Sequence, residues 1–473
     1  MFDRIDAWVG EALERAVTSH HRRRLRRTGW SEARHPPPAG WADGDPPPRA
    51  GNRLTVAVDG AEPLPMAVRD MREARSSVHV ANWFLTPEFV PVRGGEGAAV
   101  EEILGSLARS VDVRVLLWGG MPLPVGRRSR VNVRRAANRL RRAGPVRVAL
   151  DSHERPLHCH HEKLVIVDER VAYVGGIDFT TLDGDRFDSP AHPPREGPGW
   201  HDLMLRMEGP AVADVADHFR FRWGEVTGER LPACEPPPSV GDVTLQIVRT
   251  IPERIYRGCP RGEFRILEAY ERALRSAERL IYLENQYLWS PEIVEVLAGK
   301  LRHPPRDDFR MIIVLPSKAN TGTDNTLGQL GRLAEADGGG GRFLACTIAR
   351  PGHPVYIHAK VGIVDDRWIT VGSANLNEHS LFNDTEVNAS IWDERIARDT
   401  RLRLWAEHLE APVGDVDGPP HEVFDNRWRP IADEQLRRHM DGRERTHRVL
   451  RLQHVSRRSH RLIGPIQSLF VDG

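Results

Sequence analysis

Two stretches, "HHEKLVIVDERVAYVGGIDF" (160–179) and "IHAKVGIVDDRWITVGSANL" (357–376), align without a gap and decide how the chain folds. Each contains a His-x-Lys triplet, an apolar run, an acidic turn and a second apolar run. Other matching segments flank the two copies in the same order, namely 76–88 with 278–292, 111–119 with 308–316, and 215–226 with 398–409. A duplication of this length predicts two similar α/β halves that share one interface.

The apolar runs on either side of each acidic turn predict a β-hairpin. Residues two apart on a strand share a face, so the His and the Lys of each triplet should project together. A turn centred on Glu169–Arg170 fixes the cross-strand partners. With the equivalent register in the second copy, the predicted pairs are Asp178 with His161, Asn375 with His358, and Ser373 with Lys360. The small residue Gly176, next to Gly175, should leave room for a ligand to approach the backbone.

The aspartate that follows each triplet is predicted to be structural. Asp168 lies seven residues beyond His161, which is roughly 23 Å along a strand at ~3.3 Å per residue. It therefore should not reach the same small substrate group as the histidine. Asp168 and Asp365 are interpreted as residues of the hairpin turns.

Each half thus supplies one His–Lys pair, His161 with Lys163 and His358 with Lys360. Two facing pairs suit a phosphodiester, because the lysines can hold its non-bridging oxygens and offset their charge. One neutral histidine can attack phosphorus while the opposite, protonated histidine gives its proton to the leaving oxygen. Since the cations are already built in, this chemistry predicts no metal and no cofactor.

Each catalytic imidazole needs an acceptor on its other nitrogen to fix its tautomer. Asp202, in "GWHDLMLRMEG", and Glu386, in "NDTEVNASIWD", begin alternating stretches at corresponding places after each motif. We predict that these two acids orient the histidines. Either acid is a candidate partner of either histidine.

The crowded histidines at the start of the first copy do not predict a metal site. On a strand, His158 and His160 share one face, whereas His161 points the other way with Lys163. A lysine among the ligands would repel a cation, and zinc-type ligand spacing is not seen elsewhere.

The chain has 473 residues, enough for two domains or one large duplicated domain. Its 67 Lys+Arg nearly balance 66 Asp+Glu, so net charge does not indicate the partner, although basic islands occur at 20–27, 126–144 and 448–461. Four scattered cysteines argue against a disulfide framework. The predicted organisation is an N-terminal helix and Pro-rich arm (1–52), a first repeat (53–234), a second repeat (235–411) and a C-terminal tail or cap (412–473).

The two triplets with their aspartates, His161-x-Lys163-x4-Asp168 and His358-x-Lys360-x4-Asp365, resemble the HxKxxxxD signature of the phospholipase D superfamily. Further segments look like phospholipase D proper, namely "DGDRFDSPAHPPREGPGWHD" (183–202), "YLENQYL" (282–288) and "VGSANLNEHSLFNDTEVN" (371–388). The resemblance implies two α-β-α sandwich halves related by a pseudo-twofold axis, with one shared active site. It also implies a covalent phosphohistidine, with His161 as nucleophile and His358 as general acid. Asp178, Asn375, Ser373 and Gly176 would then support the phosphate.

The expected activity is hydrolysis or transphosphatidylation of phospholipids at a membrane surface, which the basic islands would contact. A cardiolipin or phosphatidyl synthase-type transferase remains an alternative, because it uses the same intermediate with another acceptor. A nuclease-type phosphodiesterase is a further alternative, but 126–144 lacks the aromatic residues of a single-strand platform. Both motifs keep every reactive residue, which disfavours a degenerate scaffold. Without an apparent signal peptide or transmembrane helix, the expected location is cytoplasmic or peripheral to a membrane, with no obligate protein partner and the monomer as the expected unit.

Overall fold

The computed structural model describes residues 2–92, 97–121, 129–155, 158–180, 199–318, 323–350 and 353–453. Most of the segment 183–202 that resembles phospholipase D therefore lies outside the described residues. The same holds for the start of the basic island at 126–144 and for most of the island at 448–461.

The first half contains eight described strands and is preceded by a long helix. Its strands are β1 (Arg49–Val58), β2 (Ser77–Asn82), β3 (Asp112–Trp118), β4 (Arg147–Asp151), β5 (Lys163–Val167), β6 (Val171–Gly175), β7 (Gly199–His201) and β8 (Leu203–Glu208). Its helices are α1 (Phe2–Thr28), α2 (Pro63–Arg72), α3 (Val100–Leu107), α4 (Arg130–Ala143) and α5 (Val212–Thr227), with a 3-10 turn at Ser31–Arg34.

The second half repeats this plan and adds a C-terminal segment. Its strands are β9 (Val243–Ile251), β10 (Glu263–Phe264), β11 (Leu280–Glu284), β12 (Arg310–Val314), β13 (Phe343–Arg350), β14 (His353–Ile357), β15 (Val361–Val364), β16 (Trp368–Gly372), β17 (Glu386–Trp392) and β18 (Val449–Arg451). Its helices are α6 (Arg265–Ser276), α7 (Pro291–Arg302), α8 (Thr323–Asp337), α9 (Glu394–His408), α10 (Val413–Val416), α11 (Pro420–Val423) and α12 (Arg429–Met440). Two π-helical turns cover His379–Asn383 and Phe424–Trp428.

The two halves have the same strand order. The first sheet runs β1–β8–β6–β5–β2–β3–β4, and the second runs β9–β17–β16–β15–β11–β12–β13. In each sheet, the last three strands in this order pair in parallel, β2–β3–β4 in the first and β11–β12–β13 in the second. The remaining pairings within each sheet are antiparallel. The sheets are joined where β1 also pairs with β9, and β18 extends the second sheet beyond β13. The predicted duplicated α/β fold is confirmed.

Apolar side chains on both faces of the strands build three layers of core. One cluster lies between β2, β3 and the helices α2 to α4, and a second lies between the second sheet and α6 to α8. The largest cluster joins both sheets to α5 and α9, whose sequences match in the repeat. Each sheet is therefore covered by helices on both faces, as parallel strands with continuous apolar runs require. Local caps fit this plan, because α9 begins where the Asp393 carboxylate accepts a hydrogen bond from Ile396 N at 2.9 Å.

Helix α1 packs its C-terminal part against the second half. His21 Nδ1 lies 2.8 Å from Glu292 Oε1, and Arg24 donates to Glu253 at 2.7 Å. Both basic side chains are buried, so His21 and Arg24 contact acidic residues of the second half and not an anionic surface. Among the described residues, no helix combines the length and hydrophobicity needed to span a bilayer.

The hairpin register differs by one residue from the prediction. Lys163 pairs with Gly175 and Val167 with Val171, so the turn holds three residues and centres on Glu169. Both Asp168 and Glu169 adopt left-handed backbone angles, with φ of 51° and 56°. The strand begins at Lys163, and His161 precedes it. The second hairpin shows the same register and its strand begins after Lys360, so the three predicted cross-strand pairs do not form as ladder partners.

Candidate active site

His161 is held by the second half of the chain. A parallel bridge joins His160 to Thr385, and the His161 amide donates to the Thr385 carbonyl at 2.9 Å. Because Glu386 is the next residue, its carboxyl reaches the same imidazole, and His161 Nδ1 lies 3.1 Å from Glu386 Oε1. The Ser373 carbonyl lies 3.1 Å from the same nitrogen.

His358 is held by the first half in the same way. Strand β7 pairs in parallel with β14, and the His358 amide donates to the His201 carbonyl at 2.8 Å. Asp202 follows His201, and Asp202 Oδ2 lies 2.6 Å from His358 Nδ1. The site is therefore reciprocal, because each motif histidine takes its acid from the opposite half.

Both acids are fully buried, and this burial shifts their acidity. Desolvation raises the pKa of Asp202 to about 7 and that of Glu386 to about 8, against a smaller opposing effect of the lysines. Lys163 lowers the pKa of both carboxyls, and Lys360 lowers that of Asp202. One lysine therefore acts electrostatically on both acids.

Lys163 lies next to its own histidine and to Asp178. Its Nζ donates to the His161 carbonyl at 2.5 Å and lies 3.5 Å from Asp178 Oδ2. Asp178 is fixed in turn, because its Oδ1 accepts hydrogen bonds from Asn82 Nδ2 at 2.8 Å and from the Trp83 amide at 3.0 Å. Asp178 thus contacts the lysine of its motif rather than standing opposite the histidine.

Lys360 occupies the equivalent position in the second half. Its Nζ donates to the His358 carbonyl and lies 3.4 Å from Gln286 Oε1. Asn375 Nδ2 lies 3.4 Å from the same amide oxygen. Lys163 and Lys360 are both buried, and each is anchored to the backbone of its own motif.

Ser373 and Gly176 support the two acids. Ser373 Oγ donates to Glu386 Oε2 at 2.5 Å. Gly176 lies so close to Asp202 that a Cβ added at this glycine would stand 2.7 Å from the Asp202 Cγ. Neither residue lies across a ladder from Lys163 or Lys360, and each lies directly against one of the two buried carboxyls.

We predict that Gly176→Ala impairs activity, because its methyl group must displace the Asp202 carboxyl from His358. The expected loss is about 10-fold to 100-fold in kcat, typical of a displaced positioning group. Gly299→Ala in α7 is the matched control, since its added methyl group meets no atom within 4 Å. Steady-state kinetics of both variants check this, and full activity of Gly176→Ala would contradict it.

Asp168 and Asp365 lie at the hairpin turns, away from the reciprocal pairs. Asp168 accepts hydrogen bonds from the amides of Arg75, Ser76 and Ser77 at 2.7–3.1 Å, just before β2. Asp365 accepts hydrogen bonds of 2.7 Å from the amides of residues 278–280, just before β11. Each aspartate thus ties its hairpin to the start of the neighbouring strand.

A buried network that the sequence did not reveal supports the segment carrying Asp202. His201 Nδ1 lies 2.9 Å from Asp59 Oδ1, and His201 Nε2 lies 2.7 Å from Glu284 Oε2. Glu284 also lies 3.0 Å from His408 Nε2. Although burial alone lowers the pKa of His201, Glu284 and Asp59 raise it well above its usual value. The network links both halves directly behind the Asp202–His358 pair.

Two further side chains lie at equivalent ends of strands. Trp83 follows β2, where its ring lies 5.4 Å from the His161 ring and 5.2 Å from Lys163 Nζ. Gln286 follows β11 and contacts Lys360, as described above. The alignment of 76–88 with 278–292 places both residues at one position of the repeat, which is the signal that could have found them.

The raised pKa of Asp202 predicts that the free energy of unfolding falls as the pH rises. The native carboxyl, with a pKa of about 7, binds its proton more tightly than an ordinary aspartate with a pKa of 3.8. Its contribution to stability is therefore complete below pH 4 and is lost as the pH rises through 7. Relative to the wild type, Asp202→Asn should gain up to roughly 1.4 kcal/mol of unfolding free energy per pH unit between pH 5 and 7. Urea unfolding at both pH values tests this, and a difference independent of pH would contradict it.

Comparisons with known proteins find similar sequences and a similar fold. The family model described as cardiolipin synthase, phospholipase D-like domain, matches residues 270–405. Phospholipase D A of Dictyostelium discoideum is 26% identical, with 80% of this chain and 37% of that protein covered. Phospholipase D alpha 4 of Arabidopsis thaliana is also 26% identical (72% and 63% covered), and phospholipase D2 of Bos taurus is 24% identical (82% and 56% covered). The chain thus spans between 37% and 63% of the length of these relatives.

A solved structure shows the same fold. The phosphatidylserine synthase of Haemophilus influenzae superposes with a TM-score of 0.54 at 12% identity, and the match covers 87% of this chain and 98% of that one. The sequence identities are low, but the family model, the curated relatives and the duplicated fold all agree. The chain belongs to the phospholipase D superfamily.

Proposed function

We propose that the chain is a phospholipase D-type phosphodiesterase that hydrolyses or transphosphatidylates phospholipids through a covalent phosphohistidine. The observation that carries this proposal is the reciprocal arrangement, in which each motif histidine contacts a buried acid of the opposite half. Relatives named phospholipase D support a phosphodiesterase and indicate the substrate class.

In the first step, His161 Nε2 attacks phosphorus while its Nδ1–H is held by Glu386. The P–N bond forms, and the bond from phosphorus to the headgroup oxygen breaks. His358 gives its Nε2 proton to the leaving oxygen, so that the headgroup alcohol departs neutral. Asp202 stabilises the charge on protonated His358 before this transfer.

In the second step, water or an alcohol attacks the phosphohistidine. His358 now removes the proton of the incoming oxygen, the P–N bond breaks, and His161 is restored. Phosphatidate or a new phosphatidyl ester is released. Lys163 and Lys360 stabilise the negative charge that develops on the non-bridging oxygens, which is why the reaction requires no metal ion.

A phosphatidyl transferase is a second candidate, because the matched family model carries the description of a cardiolipin synthase. The two activities differ only in the acceptor of the second step. Helix α4 is a described segment that suits contact with an anionic lipid surface. Five of its arginines are exposed, at positions 134, 135, 139, 141 and 142.

A substrate panel tests the proposal on the full chain. Phosphatidylcholine vesicles, phosphatidylglycerol vesicles and DNA are offered with EDTA present, with and without a primary alcohol. We expect release of the phospholipid headgroup, and a phosphatidyl alcohol when the alcohol is added. Transfer between phosphatidylglycerol molecules without hydrolysis would favour the synthase. Cleavage of DNA alone, or complete loss of turnover in EDTA, would contradict the proposal.

A further inference from the structure

A second group of ionisable side chains lies close to the reciprocal pairs but takes no part in the reaction proposed above. It consists of His158, His379 and Asp384, and we call it the His158 cluster. His158 Nδ1 lies 3.0 Å from His379 Nδ1 and 3.4 Å from Asp384 Oδ1. One ligand-type atom from each residue lies within 4.8 Å of the other two. The cluster therefore brings two imidazoles and a carboxylate to one point.

The backbone holds the three residues in this arrangement. The π-helical turn His379–Asn383 ends where the Asp384 amide donates to the His379 carbonyl at 2.8 Å, which brings these two side chains together. The Cys159 amide donates to Asp384 Oδ1 at 2.9 Å, and this bond places His158 beside them. π-turns are rare in proteins and occur frequently at functional sites.

Two polar atoms of the cluster are buried without a hydrogen-bond partner among the described residues. They are His379 Nε2 and Asp384 Oδ2, on side chains with no measurable exposure. An unsatisfied carboxylate oxygen is costly to bury unless it binds a cation. His158, whose side chain is 17% exposed, provides a route from solvent.

We propose that His158, His379 and Asp384 bind a divalent cation of the borderline class, such as Zn²⁺. Two imidazole nitrogens at about 2.0–2.1 Å from one tetrahedral ion lie about 3.4 Å apart, so the two Nδ1 atoms, which are 3.0 Å apart, need to separate by only about 0.4 Å to bind it. Imidazole and carboxylate ligands suit zinc and its neighbours better than magnesium or calcium. Three protein ligands leave one position for water.

The ion would connect the two halves beside His161. His158 belongs to the first half, and His379 and Asp384 belong to the second. Ser380, next to His379, donates to Glu386 Oε1 at 2.5 Å, and Glu386 lies two residues after Asp384. The bound ion thus holds in place the segment that orients His161, without contacting the reacting phosphorus.

Metal binding to the full chain, produced without a polyhistidine tag, tests the site directly. The protein is stripped with EDTA, loaded with Zn²⁺, passed through a desalting column and analysed for bound metal. We expect the wild type to retain one more equivalent than the His158→Ala/His379→Ala double variant, and to bind Zn²⁺ at least about 10-fold more tightly than His158→Ala alone. His303→Ala, which removes an exposed histidine, should retain the wild-type amount.

Co²⁺ provides a second readout that does not depend on turnover. A tetrahedral site of two imidazole nitrogens, one carboxylate oxygen and one water should give d–d absorption that is present in the wild type and the His303→Ala control but absent from His158→Ala. The single variant keeps the test decisive if the double variant does not fold, because it removes only one partly buried side chain. Equal zinc content and equal spectra in the wild type and His158→Ala would overturn the proposal.

Activity in EDTA separates this site from the reaction itself. If the ion only supports the His161 segment, EDTA lowers wild-type turnover in part and has no further effect on His158→Ala. Complete loss of turnover in both proteins would instead contradict the metal-free reaction.

Discussion

Replacing His161 by Ala is expected to lower phospholipid turnover by about 10⁴-fold or more, because the variant lacks the nitrogen that forms the covalent intermediate. The alanine also leaves the buried Glu386 without the imidazole that it contacts. We nevertheless expect the variant to stay folded, so that the loss of rate reflects the missing nucleophile. Initial rates on phosphatidylcholine vesicles, with thermal unfolding measured in parallel, provide the test.

His79→Ala is the matched control for this prediction. His79 is also a buried histidine of the first half, and it stacks on Phe219 with ring centroids 4.7 Å apart. Its removal creates a similar cavity in the core of the first sheet without touching the reciprocal pairs. A His161→Ala protein that is folded and as active as His79→Ala would exclude His161 as the nucleophile.

Removing either orienting acid is expected to cost about 10²-fold to 10⁴-fold in kcat. Asp202→Asn deprives His358 of the carboxylate that stabilises its protonated form, and Glu386→Gln removes the carboxyl group that holds the Nδ1–H of His161. The acids act through histidines of the opposite half, so the loss in Asp202→Asn should be nearly absent when His358 is already Ala. A double-mutant cycle between these two positions measures this coupling.

Asp214→Asn and Glu263→Gln are suitable controls for the two acids. Both replace a buried carboxylate that pairs with arginine away from the histidines, Asp214 with Arg49 and Glu263 with Arg249. Their kcat values should stay within a few-fold of the wild type. If Asp202→Asn and His358→Ala showed fully additive effects, the Asp202–His358 contact would have no role in the reaction.

The sequence predicted much of this fold because a repeat makes each half a check on the other. The hairpins β5–β6 and β15–β16, the matching helices α5 and α9, and the two His–Lys triplets all lie where local patterns indicated them. Period-two alternation and the gap-free alignment carry this information without any knowledge of how the halves meet.

The contacts between the two halves could not be predicted from the sequence, for a physical reason. Glu386 contacts His161, 225 residues away, and only the packing of the two sheets decides that each acid lies against the histidine of the opposite half. The predicted hairpin register was wrong by one residue. The left-handed angles at Asp168 and Glu169 form a three-residue turn, which the apolar pattern does not specify. His158 meets His379 across 221 residues, so strand alternation could separate it from His161 but could not show its partners.

Isolation of the covalent intermediate tests the central claim most directly. The full chain is mixed with phosphatidylcholine labelled at phosphorus, quenched in alkali, which preserves phosphohistidine, and digested for peptide mapping. We predict label on the peptide that contains His161, none in His161→Ala, and label that is slow to form and slow to decay in His358→Ala. Label on the His358 peptide, or turnover with neither histidine labelled, would contradict the assignment of His161 as nucleophile.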